Sequence, residues 1–222
     1  MLRYRFYVVG CGGTGSLLAR DLAKLLTSSP HTMTLIDGDV VEEKNIIRQG
    51  YQFQDIGENK AAVLSKKINA LYNVDAYVID SYLTKNELLV DINKNDDLYP
   101  VILGCVDNDN TRALLENTFK KCNGAVYIDS ANGEYEGNIY IARIFNNKQI
   151  GTLRSDVYKL SNDHHPLDKS CQNQVADGNI QYLVTNTKMA IGILEHCNAL
   201  LENQLKEGVQ IVKRFKTVFY TQ

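Results

Sequence analysis

The segment Val8-Val9-Gly10-Cys11-Gly12-Gly13-Thr14-Gly15-Ser16 does most to limit what this chain can fold into. An apolar strand runs into Gly-x-Gly-x-x-Gly, and a helix opens at Thr14. Glycines at this spacing let backbone N–H groups approach a phosphate, and the N-terminus of the following helix favours negative charge. By itself the turn signals a nucleotide, most commonly a dinucleotide.

Hydrophobic periodicity extends this unit into a repeating pattern. Phe6–Val9 reads as a buried strand, followed by a helix over about 14–26 with Leu18, Leu22 and Leu25 at helical spacing. Strands are predicted at Thr32–Asp37, Ala76–Ile79, Pro100–Cys105 and Ala125–Asp129, and helices at Glu58–Leu71 and Asn110–Cys122. Strands alternating with helices predict a Rossmann-like α/β fold with a doubly wound, mainly parallel sheet. The pattern then changes. Asn138–Phe145 alternates like an antiparallel strand, residues 151–179 are polar and irregular, a long helix is expected over 180–205, and Val209–Tyr220 reads as a strand or hairpin. The expectation is one domain over 1–222, its sheet extended by antiparallel C-terminal strands.

Composition excludes several classes. With 222 residues, 44% hydrophobic and 23% charged, the chain can bury a large core. The net charge of −2 gives no support to nucleic-acid or membrane binding. No apolar run approaches a membrane span, and the first residues lack the features of a signal peptide. The five cysteines, at 11, 105, 122, 171 and 197, are odd in number and include no Cys-x-x-Cys pair. This argues against a disulfide framework and a four-cysteine zinc site, and predicts a reducing cytoplasm.

The residues that follow the glycine turn decide between nucleotides. In dinucleotide folds an acid at the end of the second strand binds the ribose, and Asp37 stands there. Here Asp39 adds a second acid, and Asn45 and Arg48 follow at a spacing that places both on one face of a helical turn. Lys60 falls in the first turn of the next helix, and Asp107, followed by Asn108, sits at the carboxyl end of the fourth strand. A glycine loop, a ribose acid, an Arg, a Lys and an isolated Asp suit a triphosphate with Mg²⁺ better than a nicotinamide.

Four segments in order, Gly10–Ser16, Asp37-Gly38-Asp39-Val40-Val41 through Asn45-Ile46-Ile47-Arg48-Gln49, Ile56-Gly57-Glu58-Asn59-Lys60-Ala61, and Val106-Asp107-Asn108 with Thr111-Arg112, resemble the ThiF/MoeB/ubiquitin-activating enzyme family. Asp129-Ser130-Ala131-Asn132-Gly133 with Gly137 resembles a further family segment. The resemblance implies that Gly10, Gly12, Gly13, Thr14 and Gly15 form the nucleotide turn. Asp37 would bind the ribose, Asn45, Arg48 and Lys60 would contact the phosphates, and Asp39, Asp107 and Asn108 complete the nucleotide-binding set. Asp107 would hold Mg²⁺ or orient the attacking group, so Arg48, Lys60 and Asp107 are the catalytic candidates. The implied reaction is ATP-dependent adenylation of the C-terminal carboxylate of a ubiquitin-like or sulfur-carrier protein ending in Gly-Gly. A homodimer is also implied, with residues 1–135 binding nucleotide and 136–222 binding the partner. The sequence departs from the family in lacking its zinc motifs, in carrying Lys44 where a Ser is usual, and in having only Met1–Arg5 ahead of the first strand. Arg3 and Arg5 are the candidates for the arginine that many relatives bring from an N-terminal helix.

Cys171 stands where some members of the family keep a cysteine that bonds to the activated partner, which makes it a fourth catalytic candidate; the alternative is a plain thiol. Asp163, His164, His165 and Asp168 with Cys171 offer zinc-type ligand chemistry without paired spacing, and a solvated loop is the simpler reading. Two other functions stay open: adenylation of a small molecule or tRNA, and a non-catalytic partner in a heterodimer.

Overall fold

The computed structural model describes residues 2–161 and 183–221. Among these, nine strands form one sheet, in the order β3-β2-β1-β4-β5-β6-β8-β9, with β7 paired to β6. The strands are β1 (Tyr4–Val9), β2 (Thr32–Ile36), β3 (Ala76–Ile79), β4 (Tyr99–Gly104), β5 (Ala125–Asn132), β6 (Gly137–Phe145), β7 (Lys148–Ile150), β8 (Gly208–Lys213) and β9 (Lys216–Thr221). β1 to β5 are parallel, and from β5 onward each pairing is antiparallel. The helices are α1 (Gly13–Leu26), α2 (Lys60–Tyr72), α3 (Glu87–Lys94), α4 (Asp109–Lys120), α5 (Arg154–Val157) and α6 (Leu183–Leu201).

The two-residue period of β1 divides the core. Phe6 and Val8 face α1, α2 and α6, where Leu18, Leu22, Leu64, Met189 and Ile193 are buried. Tyr7 and Val9 face the opposite layer, with Leu88 and Ile92 of α3 and Leu115 and Phe119 of α4. A strand buried on both sides reads as a nearly continuous apolar run, as in the Phe6–Val9 part of β1 and the Val101–Leu103 part of β4. Helices therefore cover both faces of the parallel half, as the alternating pattern predicts.

The pattern read from the sequence includes neither α3 nor β7. α3 spans two turns and offers a single buried i, i+4 pair, Leu88 and Ile92. None of the described helices is long and apolar enough to cross a membrane.

The strand order reverses between β1 and β4. At such a switch point the loops leaving the two carboxyl ends diverge and open a crevice. The glycine turn leaves β1 there, and Asp107 leaves β4.

Candidate active site

A cleft of about 1140 Å³ opens at the carboxyl ends of the parallel strands. Its wall carries Gly10, Gly12, Gly13, Thr14, Asp37, Asp39, Asn45, Arg48, Lys60, Asp107 and Asn108. These residues come from five separate stretches of sequence.

The turn is built from its glycines. Gly10 has φ +87°, in the region that favours glycine, and a Cβ there would lie 2.7 Å from the Cys105 carbonyl oxygen. Gly15 does not reach the cleft wall. Its role is packing beneath the turn, where a Cβ would lie 1.9 Å from the Gly10 carbonyl oxygen. Gly12 faces open space.

The acids after β2 make the electrostatic centre. The Asp37 carboxylate accepts from the backbone N–H groups of Cys11 (2.6 Å) and Asp39 (2.8 Å). Burial pushes its pKa up to about 6; Lys60 opposes the rise and Asp39 adds to it. Lys60 is buried, and its Nζ donates to Asp39 Oδ2 at 2.8 Å. Burial works against its charge, and Asp37 with Asp39 more than offset that, so its pKa is raised. Burial likewise opposes ionisation of Asp39, yet Lys60 and the Tyr82 hydroxyl, which donates to Asp39, hold its pKa below the ordinary value. Asn59 caps α2 by accepting from the Ala62 N–H (3.0 Å), which fixes Lys60 as the first residue of the helix.

Asn45 ends a 3₁₀ turn over Glu43–Asn45, and its Oδ1 accepts from the Glu42 N–H at 2.9 Å. The backbone N–H of Arg48 donates to Asn45 O (3.1 Å), so both residues stay on one wall of the cleft. Gln49 is buried on the same wall, with an Oε1 that has no hydrogen-bond partner among the described residues. Asp107 is exposed to the cleft, while Asn108 uses its Oδ1 to cap α4 at the Thr111 N–H (2.8 Å).

Beyond Asp107 the cleft continues over β5, β6 and β8, where sequence reasoning found little. Asp129 is fully buried between two arginines: Arg154 Nε donates to its Oδ2, and Arg112 Nε lies 3.5 Å from its Oδ1. Arg154 also donates to Asn138 Oδ1 (2.6 Å) and stacks over Tyr140. Arg154, Asn138, Tyr82 and Tyr158 all line the cleft. The signal for Tyr82 was positional: it follows β3, whose carboxyl end lies on the same sheet edge.

Arg3 and Arg5 stand at the opposite edge of the sheet, at the start of β1. Arg3 pairs with Asp97, and Arg5 lies 3.5 Å from Asp91 and stacks over Tyr77. Cys11 and Cys197 are fully buried, and burial raises the thiol pKa of Cys11, Cys105, Cys122 and Cys197. These four therefore stay protonated at neutral pH. Cys171, Asp163, His164, His165 and Asp168 lie outside the described residues.

The residues present fit ATP and its metal. Gly12 leaves open space at the start of α1, and the first N–H groups of a helix have no partner within it and can meet a phosphate there. Among the described residues no three Asp, Glu, His or Cys side chains cluster as a metal site. Asp107 is an exposed carboxylate on the same cleft as the turn, and one carboxylate is enough protein ligation for Mg²⁺ where substrate oxygens and water supply the rest.

Fold and cleft define a doubly wound α/β protein with a phosphate-type turn at its switch point. The model of the ThiF family matches residues 1–214, and the chain belongs to that family. It is 33% identical over 116 residues to the adenylyltransferase and sulfurtransferase uba4 of Aspergillus clavatus, a match covering 51% of this chain and 22% of that protein. It is 34% identical over 113 residues to uba4 of Emericella nidulans, covering 50% and 22%. The match thus spans about a fifth of the length of these curated relatives. Among solved structures it resembles PaaA (TM-score 0.70, 19% identity, covering 98% of this chain and 64% of that one). It also resembles Escherichia coli MccB bound to AMPCPP and MccA (TM-score 0.66, 16% identity, 99% and 63%).

Proposed function

We propose that the chain adenylates the C-terminal carboxylate of a small ubiquitin-like or sulfur-carrier protein ending in Gly-Gly, using ATP and Mg²⁺, and that it works as a homodimer. The observation that carries this reading is the convergence of the glycine turn, the Asp37–Asp39–Lys60 cluster, Arg48 and Asp107 on one cleft. The uba4 proteins are named as adenylyltransferases, and MccB has been solved with ATP, which supports the nucleotide.

In this reading the backbone N–H groups of the turn hold phosphate oxygens, and Asp37 accepts from the ribose hydroxyls. The substrate carboxylate oxygen attacks the α-phosphorus. The bond to the bridging oxygen breaks, and pyrophosphate leaves with the electron pair. Arg48 and Lys60 offset the negative charge that gathers in this displacement. Bound Mg²⁺ supplies further charge neutralisation, with Asp107 as its protein ligand. A following step, attack of the Cys171 thiolate on the acyl carbonyl with release of AMP, belongs to the same reading and rests on the place of Cys171 in the chain order.

The test is ATP–pyrophosphate exchange with carriers ending in Gly-Gly. Exchange is expected with the wild type, is lost in Asp107→Ala together with any hydroxylamine-sensitive protein adduct, and is kept in Cys171→Ala, which loses the adduct only. ATP binding without exchange for any carrier would overturn the reading in favour of a non-catalytic heterodimer partner.

A further inference from the structure

The cleft is longer than a nucleotide needs, and its far end leads to an unusual hairpin. From Asp107 it runs across β5 and β6 to Ile211 on β8. Two residues beyond Ile211, about 7 Å along the strand, β8 turns into β9 through Arg214 and Phe215, with Lys213 paired to Lys216. Lys213, Arg214, Phe215 and Lys216 are all exposed, Phe215 at 90%.

The residue types at this tip are not those that a tight turn asks for. The β6–β7 hairpin of the same sheet turns through Asn146 and Asn147, both at positive φ (51° and 58°), as a two-residue hairpin favours. The β8–β9 turn has neither Gly nor Asn and no positive φ. Local backbone geometry therefore does not account for an arginine and an exposed phenylalanine there. The tip is nevertheless held in place. Lys188 of α6 donates to the carbonyls of Lys213 (3.3 Å) and Arg214 (2.5 Å), and Arg214 stacks over Tyr135 at 4.8 Å. Tyr135 belongs to the β5–β6 turn, whose Gly133 and Glu136 line the cleft. Among the described residues no acidic side chain is ion-paired with Lys213, Arg214 or Lys216.

We propose that this tip is a docking point for an acidic face of the carrier protein whose carboxylate the cleft activates, an inference that rests on the adenylation reading. A chain of net charge −2 concentrates three exposed cations and an exposed aromatic ring at the mouth through which a polypeptide terminus would enter. The path from β8 to the end of β4 crosses three strand spacings, about 14 Å. An extended tail of about four to six residues covers that distance. The body of the carrier then rests on the tip while its terminus reaches the α-phosphate. Acidic residues on the carrier give attraction and register, and Phe215 gives apolar contact. The basic surface is a compact point, without the extended track that a nucleic-acid backbone follows, so a protein fits it better.

The probes are synthetic peptides of about twelve residues ending in Gly-Gly, with four Glu, four Lys or four Ser placed just upstream of the last six residues. Fluorescence anisotropy measures their binding to the wild type, to the triple variant Lys213→Glu/Arg214→Glu/Lys216→Glu and to Phe215→Ser. All these positions are exposed, and an unchanged melting temperature with unchanged ATP affinity verifies that the variants fold. The acidic peptide is expected to bind the wild type at least about tenfold more tightly than the Ser peptide, with the preference fading at high salt. The triple variant is expected to lose that preference, and Phe215→Ser to weaken all three peptides. Equal binding of the three peptides by the wild type, or an acidic preference that survives in the triple variant, overturns the proposal. So does a transfer RNA that displaces the acidic peptide from the wild type and not from the variant. Exchange measured in parallel separates the two readings. Exchange with none of the peptides, despite a charge preference that depends on the tip, counts against adenylation alone; equal exchange with the acidic and basic peptides counts against the docking alone.

Discussion

Lys60 Nζ lies 2.8 Å from Asp39 Oδ2 on the wall of the cleft, and the same ammonium faces the field of Asp37. One buried cation thus serves two carboxylates. Loss of that cation leaves both acids competing for protons at the place where phosphates must bind. Lys60→Met is therefore expected to lower ATP–pyrophosphate exchange by about 10²–10³-fold, the scale on which a preorganised charge acts in such a transfer. Lys60→Arg is expected to recover little, since a planar fork does not replace a compact ammonium in a buried pocket. Exchange by Lys60→Met within about threefold of wild type would remove Lys60 from the reacting centre.

The raised pKa of Asp37, about 6, gives a pH dependence with a definite sign. Only the ionised form accepts freely from ribose hydroxyls, so affinity for adenosine is expected to rise between pH 5 and pH 7 with a midpoint near 6. Adenosine is the ligand of choice because it has no phosphate titrating in that window. Asp37→Asn should bind weakly and with a flat profile, and a flat wild-type profile by calorimetry would contradict the assignment.

Stability follows the same shift. The folded pKa of Asp37 lies about two units above its unfolded value, so the native state binds more protons in that interval. The nucleotide-free protein accordingly loses stability as pH rises from about 4 to about 6, by roughly 3 kcal/mol from this group. Asp37→Asn is expected to raise the melting temperature at pH 7 and to leave it nearly unchanged at pH 4. A fall at pH 7 would mean that the carboxylate's hydrogen bonds outweigh its desolvation.

Gly12 and Gly15 separate binding from folding. A Cβ on Gly15 meets the Gly10 carbonyl at 1.9 Å, a backbone contact with no flexible end to move. Gly15→Ala is expected to cost at least about 3 kcal/mol and to be visible in chemical denaturation. A Cβ on Gly12 meets nothing and faces the cleft. Gly12→Ala should keep its denaturation midpoint and lose nucleotide affinity. The reverse pattern would mean that the turn does not face a phosphate.

The legible part of the site lies within a few residues of strand ends and helix starts. Gly10, Asp37 and Asp107 follow strands whose apolar runs are unambiguous, and Lys60 begins a helix whose Asn59 cap is readable. Asn45 and Arg48 were legible through their i, i+3 spacing. Arg154 had no such marker. It sits on the four-residue α5, outside any periodic segment, and meets Asp129 from 25 positions away in sequence. Asp129 itself was visible as a strand end, yet nothing local shows that two arginines close on it. Pairing of this kind is a property of the folded sheet, in which β6 brings Asn138 beside Ala131.

That pairing carries the last prediction. The side chains of Asp129 and Arg154 are 0% and 8% exposed, whereas those of Arg3 and Asp97 are 48% and 62% exposed. Removal of one partner from a buried pair strands a charge away from water at a cost of about 3–5 kcal/mol, whereas an exposed pair contributes about 0–1 kcal/mol. Arg154→Met is therefore expected to lower the melting temperature by roughly 6–15 °C, and Arg3→Ala by less than about 4 °C. Arg112 remains near Asp129 in the variant, which places the expected loss toward the lower end. Asp129→Asn combined with Arg154→Met should recover part of the loss, because the stranded carboxylate is gone. If the double variant is as unstable as the sum of the two single ones, the arginine acts through Asn138 and Tyr140 rather than through Asp129.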